Sequence, residues 1–308
     1  MKIYTGFSGL GQLQRPVVTI GTFDGVHLGH RSIIQKLKEI AAEVGGETVL
    51  LTFYPHPRMV LNPEDHNIQL LNTPEEKAEL LREAGIEHLV VYPFSMDFSR
   101  ISAFEYVRDL LVTGIGADTV VVGYDHRFGR NREGDHNALV EYSETLGFKV
   151  VEIPAREIDD INISSTKIRQ ALQEGRVKDA AAYLGYNYRL TGKVVRGDGN
   201  GRKFGYPTAN LEINYRYKLV PAYGVYAVKV HIEGEVYNGA LSIGVRPTVH
   251  SNSAATVEVY IMDFEKDIYD KSVTLEFIQF IREEKKFGSI DEMLLHIAND
   301  VELARSLC

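Results

Sequence analysis

The chain has 308 residues, 44% apolar and 25% charged, which is enough apolar material for two separate cores. Asp and Glu outnumber Lys and Arg by 42 to 34, a net charge of −8, so a broad basic surface for nucleic acid is not expected, while small anions need only a few local donors. The single cysteine, Cys308, excludes an internal disulfide and a Cys/Cys zinc site and fits a reducing, cytoplasmic setting; "MKIYTGFSGLGQLQRP" lacks a signal-peptide core and no apolar run nears about 18 residues, so no membrane span is expected.

The first half alternates β-branched runs with helical patterns. Val17–Ile20 reads as a strand. From Arg31 onward, Ile33, Ile34, Leu37, Ile40, Ala41 and Val44 fall at helical spacing. Glu47–Phe53 is the next strand. Thr73-Pro74-Glu75-Glu76 reads as a capping box with proline at the first helical position. His88–Val91 is a strand, and Ser102–Glu105 is a second capping box, opening a helix with Phe104, Val107 and Leu111 on one face. Asp118–Val122 is a buried-type strand, followed by a helix over about Asn137–Leu146 and a strand over Lys149–Ile153. Such alternation predicts an α/β unit with a parallel sheet covered on both faces.

The helical stretch Thr166–Leu184 forms a joint, and the pattern changes near residue 186. Beyond it, "NYRLTGKVV", "GVYAVKVHI", "VYNGALSI", "ATVEVYIMDF" and "VTLEFIQFI" are strand-like. About six short strands within about 100 residues predict a small barrel or sandwich. A final helix starts at Ser289, with Glu292 completing a capping box.

The stretch Ile20–His30, "IGTFDGVHLGH", lies where the first strand would hand over to the first helix. In an open parallel sheet, ligands bind beyond the carboxyl ends of strands. Gly21 and Gly25 allow tight turns, and Gly29 lets a ligand approach between His27 and His30. Both imidazoles would stand at a helix N-terminus, where free N–H groups favour anions. From spacing alone, a plain strand–helix turn with two solvated histidines fits equally well. "NISSTKIR" at Asn162–Arg169 is a second such element, with hydroxyls on Ser164, Ser165 and Thr166 and charge on Lys167 and Arg169. Alone it reads as an N-cap; together the two form a consistent nucleotide-phosphate site.

"RGDGNGRKFGYPTANL" at Arg196–Leu211 has glycines at 197, 199, 201 and 205, but it is not a Walker loop. In an extended segment Thr208 and Asn210 point to one face, a plausible Mg²⁺–phosphate pair, and Pro207 fixes the entry. Glu258 shares a strand face with Thr256 and Tyr260; a lone strand glutamate is usually a solvated one.

Together these motifs carry a resemblance. "GTFDGVHLGH" with "ISSTKIR" is similar to the nucleotidyltransferase superfamily marked by H-x-G-H, and the K-M-S-K-S signature of class I aminoacyl-tRNA synthetases is missing. "FDGVHLGH", "TFYPHP" at Thr52–Pro57, "GYDHRFG" at Gly123–Gly129, "RKFGYPTANL", the strand around Glu258 and "IREEKKF" at Ile281–Phe287 resemble the prokaryotic bifunctional riboflavin kinase/FAD synthetase family over nearly the whole chain. The resemblance implies a Rossmann-like FMN adenylyltransferase domain over 1–184 and a six-stranded antiparallel riboflavin kinase barrel with a terminal helix over 185–308. It implies riboflavin, FMN and ATP as partners, with Mg²⁺; a monomer or weak homo-oligomer is expected, although the sequence itself does not reveal the oligomeric state.

Carried over by position, Gly21, Phe23, Asp24, His27, Gly29 and His30 would bind ATP with Ser164, Ser165, Thr166 and Arg169. Of these, His27, His30 and Arg169 would act in catalysis. Pro55, His56, Pro57 and Asp125 would lie on the flavin side. In the barrel, Gly201, Lys203, Gly205, Thr208 and Asn210 would bind MgATP. Glu258 would be the general base, and Arg282 and Phe287 would lie near the flavin or its closing loop. Three positions depart from the family pattern: Tyr54 for a carboxylate, His126 for a phenylalanine, and Asp270 for the glycine of a "YG" pair. Two other readings stay open, a single-activity enzyme with one degenerate module and a non-catalytic flavin- or nucleotide-binding regulator.

Overall fold

The computed structural model describes residues 1–65, 67–154, 163–197, 200–245 and 255–308. Two units divide the chain, Met1–Ser164 and Ser165–Cys308.

The first unit is built on six strands: β1 Lys2–Thr5, β2 Val17–Ile20, β3 Thr48–Tyr54, β4 His88–Pro93, β5 Thr119–Gly123 and β6 Lys149–Ile153. They form one sheet in the order β1-β4-β3-β2-β5-β6, and every neighbouring pair is parallel. Val17, Val18, Val49, Leu50, Leu51, Val120 and Val121 are fully buried, as continuous apolar runs covered on both faces should be. The chain proceeds from β2 to β3 and β4 on one side, then crosses to β5 on the other. The switch point is therefore between β2 and β5, and the crevice beyond their carboxyl ends is where such sheets hold ligands.

Helix α1, Leu28–Val44, buries Ile34, Leu37, Ile40 and Ala41 and ends at Gly45 in the left-handed region (φ 65°). It starts three residues before the apolar periodicity does. A short α2, Pro57–Leu61, buries nothing and has no apolar stripe to betray it. Helix α3, Pro74–Glu83, carries both halves of the predicted capping box. Helix α4, Ala103–Tyr106, has its Ser102/Glu105 box and then continues as a π-helix over Val107–Ile115. The wider turn buries Val107, Leu110, Leu111 and Ile115 and leaves Phe104 only partly covered, so the predicted face is shifted. Helix α5 is His136–Leu146. Strand β1 was not readable from the sequence: it is four residues at the sheet edge, mostly exposed, and pairs with β4 alone.

The second unit opens with α6, Ser165–Gln173, and α7, Val177–Leu184, separated at Gly175 (φ 75°) where one helical stretch was expected. Strands β7 Arg189–Val195, β8 Thr208–Glu212, β9 Gly224–Ile232, β10 Glu235–Val245, β11 Ala255–Ile261 and β12 Ser272–Arg282 close into an antiparallel barrel in the order β10-β11-β8-β7-β12-β9. Closure leaves no free edge. Alternation along β11 puts Val257, Val259 and Ile261 in the core and Thr256, Glu258 and Tyr260 on the other face. A helical turn α8, Asn200–Lys203, interrupts the glycine-rich loop. Helix α9, Ile290–Leu307, packs Val301 and Ala304 against Ala227 and Met262. Its Ser289 cap accepts from Glu292 N, but the Glu292 carboxylate accepts from Gly288 N and Lys285, so only half of the predicted box is made.

At the amino end of the parallel sheet, Glu47 accepts from Gln14 N (2.6 Å) and lies 3.1 Å from His88 Nε2. The Gln14 N–H, then the His88 bond and charge, hold this carboxyl below its ordinary value although partial burial works against them. A depressed folded-state value means the stabilisation is present above the unfolded pKa, about 4.3, and is lost as pH falls through the folded one. Glu47→Gln should therefore be less stable than the parent at pH 7. The gap should shrink as denaturant titrations are repeated from pH 5 downward.

Candidate active sites

Helix α1 begins with His27 as its N-cap, whose Nδ1 accepts from His30 N at 3.4 Å. One helical turn apart, the two rings stack with centroids 3.7 Å apart and an interplanar angle of 18°. Phe23 lies against His30 at 4.7 Å. Gly29 sits buried in the first turn, between them in sequence. The loop before the helix is bent tightly, with Phe23 (φ 47°), Gly25 (φ 92°) and Val26 (φ 36°) all in the left-handed region. For a phenylalanine and a β-branched valine this is costly, on the order of 1–3 kcal/mol each.

Three buried hydrogen bonds hold the loop in place. Asp24 Oδ1 accepts from Leu71 N (2.9 Å) and Asn72 N (3.4 Å), and Gly25 N donates to Asn72 Oδ1 (2.8 Å). Gly21 has no room for a side chain larger than hydrogen without displacing the Phe23 ring. His30 Nδ1 is buried with no hydrogen-bond partner among the described residues. Burial, then the charges of His27 and Lys77, push the His30 imidazole well below its ordinary pKa, which favours its neutral form. A neutral, buried, unpartnered imidazole nitrogen at a helix N-terminus is poised to meet an anionic ligand.

Lys77 of α3 was not singled out from the sequence. Its Nζ donates to Thr22 O (3.2 Å) and Thr52 Oγ1 (3.1 Å), and burial lowers its pKa to about 8. A signal was present: Lys77 lies four and three residues before Leu81 and Leu80, on the apolar stripe of α3, where a lysine is out of place.

Beyond β5, Asp125 is exposed, and the His126 ring stacks on Phe128 with centroids 5.8 Å apart. His126 Nε2 is a second buried nitrogen with no partner among the described residues. Burial takes this imidazole down to about 4; Asp125 opposes the shift and Arg132 adds to it. The two orphaned nitrogens thus follow the two strands that flank the switch point. After β3, Pro55 is exposed, His56 caps α2 by accepting from Arg58 N (3.2 Å), and Pro57 is its first residue.

In the second motif Ser165 opens α6, Ser164 and Thr166 are exposed, Arg169 is partly buried and Ile168 anchors the helix in the core. Asn162 lies outside the described residues. Ser164 closes the first unit and Ser165 opens the second, so the histidine pair and this helix are each described in their own unit.

In the barrel, Asn210 stands opposite Glu258 and Thr208 opposite Tyr260 in the β8–β11 ladder. Thr208 Oγ1 donates to Glu258 Oε2 at 3.4 Å. The Asn210 amide lies over Gly197, leaving no space there for a side chain. Gly205 is left-handed (φ 84°), and Gly201 O accepts from Tyr206 N at 2.9 Å, turning the chain into β8. Lys203 belongs to the α8 turn. A cavity of about 350 Å³ is lined by Val194, Arg202, Pro207, Thr208, Phe264 and Tyr269, among others. Arg282, expected near the flavin or its closing loop, has its Nε and Nη2 bound to the Asp300 carboxylate at 2.7–3.1 Å and its Nη1 to Glu283 O. Its guanidinium lies 5.6 Å from the Phe287 ring centre. These contacts tie the 283–288 segment to α9.

Comparison with known proteins bears on the same two regions. The FAD synthetase family matches residues 11–167 and the riboflavin kinase family residues 184–308. A bifunctional riboflavin kinase/FMN adenylyltransferase of Listeria monocytogenes is 37% identical over 290 residues, 94% of this chain and 91% of its own. The chain belongs to the bifunctional riboflavin kinase/FMN adenylyltransferase family. Another member, from Pseudomonas fluorescens, is 37% identical over 314 residues, covering 100% of this chain and 98% of its own. A crystal structure from Streptococcus pneumoniae, described as a macrolide-efflux protein, superposes with a TM-score of 0.89 at 32% identity, covering 99% of this chain and 98% of that one. In this family member, no helix among the described residues is long and apolar enough to cross a membrane.

Asp24→Ala should leave the Leu71 and Asn72 amides buried without their acceptor, at a cost of about 1–3 kcal/mol for each amide. Asp24→Asn keeps an acceptor oxygen and should cost less. Urea denaturation of the three proteins measures the order.

Proposed function

We propose that the chain makes FAD from riboflavin in two ATP-dependent steps at two separate sites. In the barrel, riboflavin becomes FMN; in the parallel-sheet unit, FMN becomes FAD. The observation that carries the reading is that each unit holds its own phosphate-directed cluster: the stacked His27/His30 pair with the unpartnered His30 Nδ1, and Glu258 beside Thr208 and Asn210. A protein that only bound flavin would have no use for a carboxylate placed beside a phosphate-binding hydroxyl.

In the first step Glu258 takes the proton of the ribityl 5′-hydroxyl as that oxygen bonds to the γ-phosphorus of ATP, and ADP leaves with the electron pair of the broken P–O bond. Thr208 and Asn210 would hold the phosphates and a Mg²⁺ ion. The donor set suits that ion, since the Thr208 hydroxyl and the Asn210 amide carbonyl are hard oxygens and the phosphates would supply further ones, leaving Glu258 to act as the base. When bound, Mg²⁺ supplies charge neutralisation on the polyphosphate. Gly201, Lys203 and Gly205 would shape the loop over it, while Arg282 and Phe287 set the flavin-side segment.

In the second step a phosphate oxygen of FMN bonds to the α-phosphorus of ATP, the α–β bridging bond breaks, and pyrophosphate leaves with the electron pair. The protein has to align the reactants and stabilise charge. His27 and His30 would donate to the phosphates, with Gly21, Phe23, Asp24 and Gly29 shaping their loop. Ser164, Ser165, Thr166 and Arg169 would hold the triphosphate, and Pro55, His56, Pro57 and Asp125 would face the flavin. We place the functional division at 184/185, so that the Ser-Ser-Thr helix serves the adenylyl-transfer module. The start of the riboflavin kinase match at residue 184 supports that placing.

Incubating the protein with riboflavin, ATP and Mg²⁺ should give FMN and then FAD by chromatography. His30→Ala should lower FAD formation on the order of a hundredfold and spare FMN formation. Glu258→Ala should block FMN formation, yet FAD should still form from supplied FMN. A single substitution that removed both activities from a folded protein would contradict the two-site reading.

A further inference from the structure

We propose that Lys77 is a positioning residue of the adenylyl-transfer site, pinning the loop that carries the histidine pair and supplying it with a cation that forms no direct ion pair with a carboxylate among the described residues. The inference rests on the reading of the first unit as the FMN-adenylylating one.

The geometry is a closed triangle. Lys77 Nζ donates to Thr22 O at 3.2 Å and to Thr52 Oγ1 at 3.1 Å, and Thr52 Oγ1 donates to Thr22 O at 3.4 Å. Thr22 belongs to the loop after β2, and Thr52 lies fully buried near the carboxyl end of β3. One ammonium therefore joins the loop to the neighbouring strand, on the side of the sheet where the histidines stand. Both of its partners are neutral oxygens. Among the described residues, no carboxylate lies within 4.0 Å of Nζ. Asp24 acts on it as a charge, but the Asp24 carboxylate is bound to the Leu71 and Asn72 amides.

A partly buried cation whose hydrogen-bond partners are all neutral, with the nearest acting carboxylate committed to backbone amides, is expensive unless something else serves it. A structural tie between a loop and a strand needs only a hydrogen-bond donor, which a neutral side chain would supply more cheaply. The charge has a purpose if the third partner is an anion that arrives with the substrate. The charged or titratable groups that interact with it are Asp24 and His30, and His27 acts on His30 in turn; Lys77 and His27 together favour the neutral form of His30. A polyphosphate reaching the α1 N-terminus would meet this cation. Negative charge grows on the leaving pyrophosphate as the FMN oxygen bonds to the α-phosphorus, and a fixed cation nearby favours that stage. Burial brings Lys77 to about 8, so it stays charged near neutral pH and titrates just above.

The test uses the full chain with Lys77→Met, which keeps length and removes charge, and Lys77→Arg, which keeps charge. FAD formation from FMN is measured with ATP varied, and the riboflavin kinase rate of the same preparation reports folding. K77M should lower kcat for FAD formation by about 30- to 100-fold with a smaller change in KM for ATP, and leave FMN formation as in the parent. K77R should recover at least tenfold of that loss. In the parent, kcat/KM for ATP should fall above about pH 8 as the ammonium deprotonates, and in K77R that fall should disappear. K77M making FAD within threefold of the parent rate overturns the proposal. Should K77M also lose kinase activity, the K77R profile decides, and an unaltered fall near pH 8 overturns it. Failure of the parent to make any FAD from FMN would instead remove the underlying reading.

Discussion

The Asp24 carboxylate holds together a loop that its own backbone preferences would release. Phe23 and Val26 sit in left-handed conformations that side chains of their kind avoid. Hydrogen bonds to a buried charged acceptor, about 1.5–3 kcal/mol each, are of the right size to offset that strain. Leu71 and Asn72 supply the donors, and Asn72 returns a bond to Gly25. The segment that precedes α3 thereby fixes where α1 begins. His27 can then cap α1, His30 can stack on it, and an imidazole nitrogen is left without a hydrogen-bond partner among the described residues. Lys77, four residues beyond the cap of α3, completes the same tie from the other side. The arrangement of the histidine pair in the first unit thus follows from one carboxylate being buried against backbone amides.

The barrel solves a related problem by alternation. Period-two patterning sends one face of β8 and β11 into the core and keeps the other for chemistry. Register then decides which side chains meet. Pairing Glu258 with Asn210 and Tyr260 with Thr208 brings the carboxylate and hydroxyl diagonally together. A slip of one residue would turn Glu258 into the core, so closure of the barrel protects the site as much as the fold.

Much of this was legible in the sequence because it rests on local signals. The buried strands are uninterrupted β-branched runs, and the α3 and α4 caps have reciprocal Ser/Thr and Glu spacing. The histidine pair, Thr208, Asn210 and Glu258 fall on the expected helix end and strand faces. What escaped depends on tertiary context. Strand β1 is short and exposed and exists because β4 offers an edge. The π-helical continuation of α4 has no composition that marks it. Lys77 could be found only by asking why a cation interrupts an apolar stripe. The pairing of Arg282, expected near the flavin or its closing loop, with Asp300 spans 18 residues, and no local pattern predicts it. Asp270 is clarified by geometry: it occupies φ 66°, where the family's usual glycine is at ease and an aspartate is tolerated.

The central claim is that one chain performs two chemically distinct transfers in series. The most direct measurement is the balance of nucleotide products per FAD formed, starting from riboflavin and ATP. Phosphoryl transfer releases ADP, and adenylyl transfer releases pyrophosphate. The account predicts one ADP and one pyrophosphate for each FAD, with FMN formed before FAD. FAD accumulating without matching ADP, or ADP and FMN accumulating while no pyrophosphate is released, would contradict it.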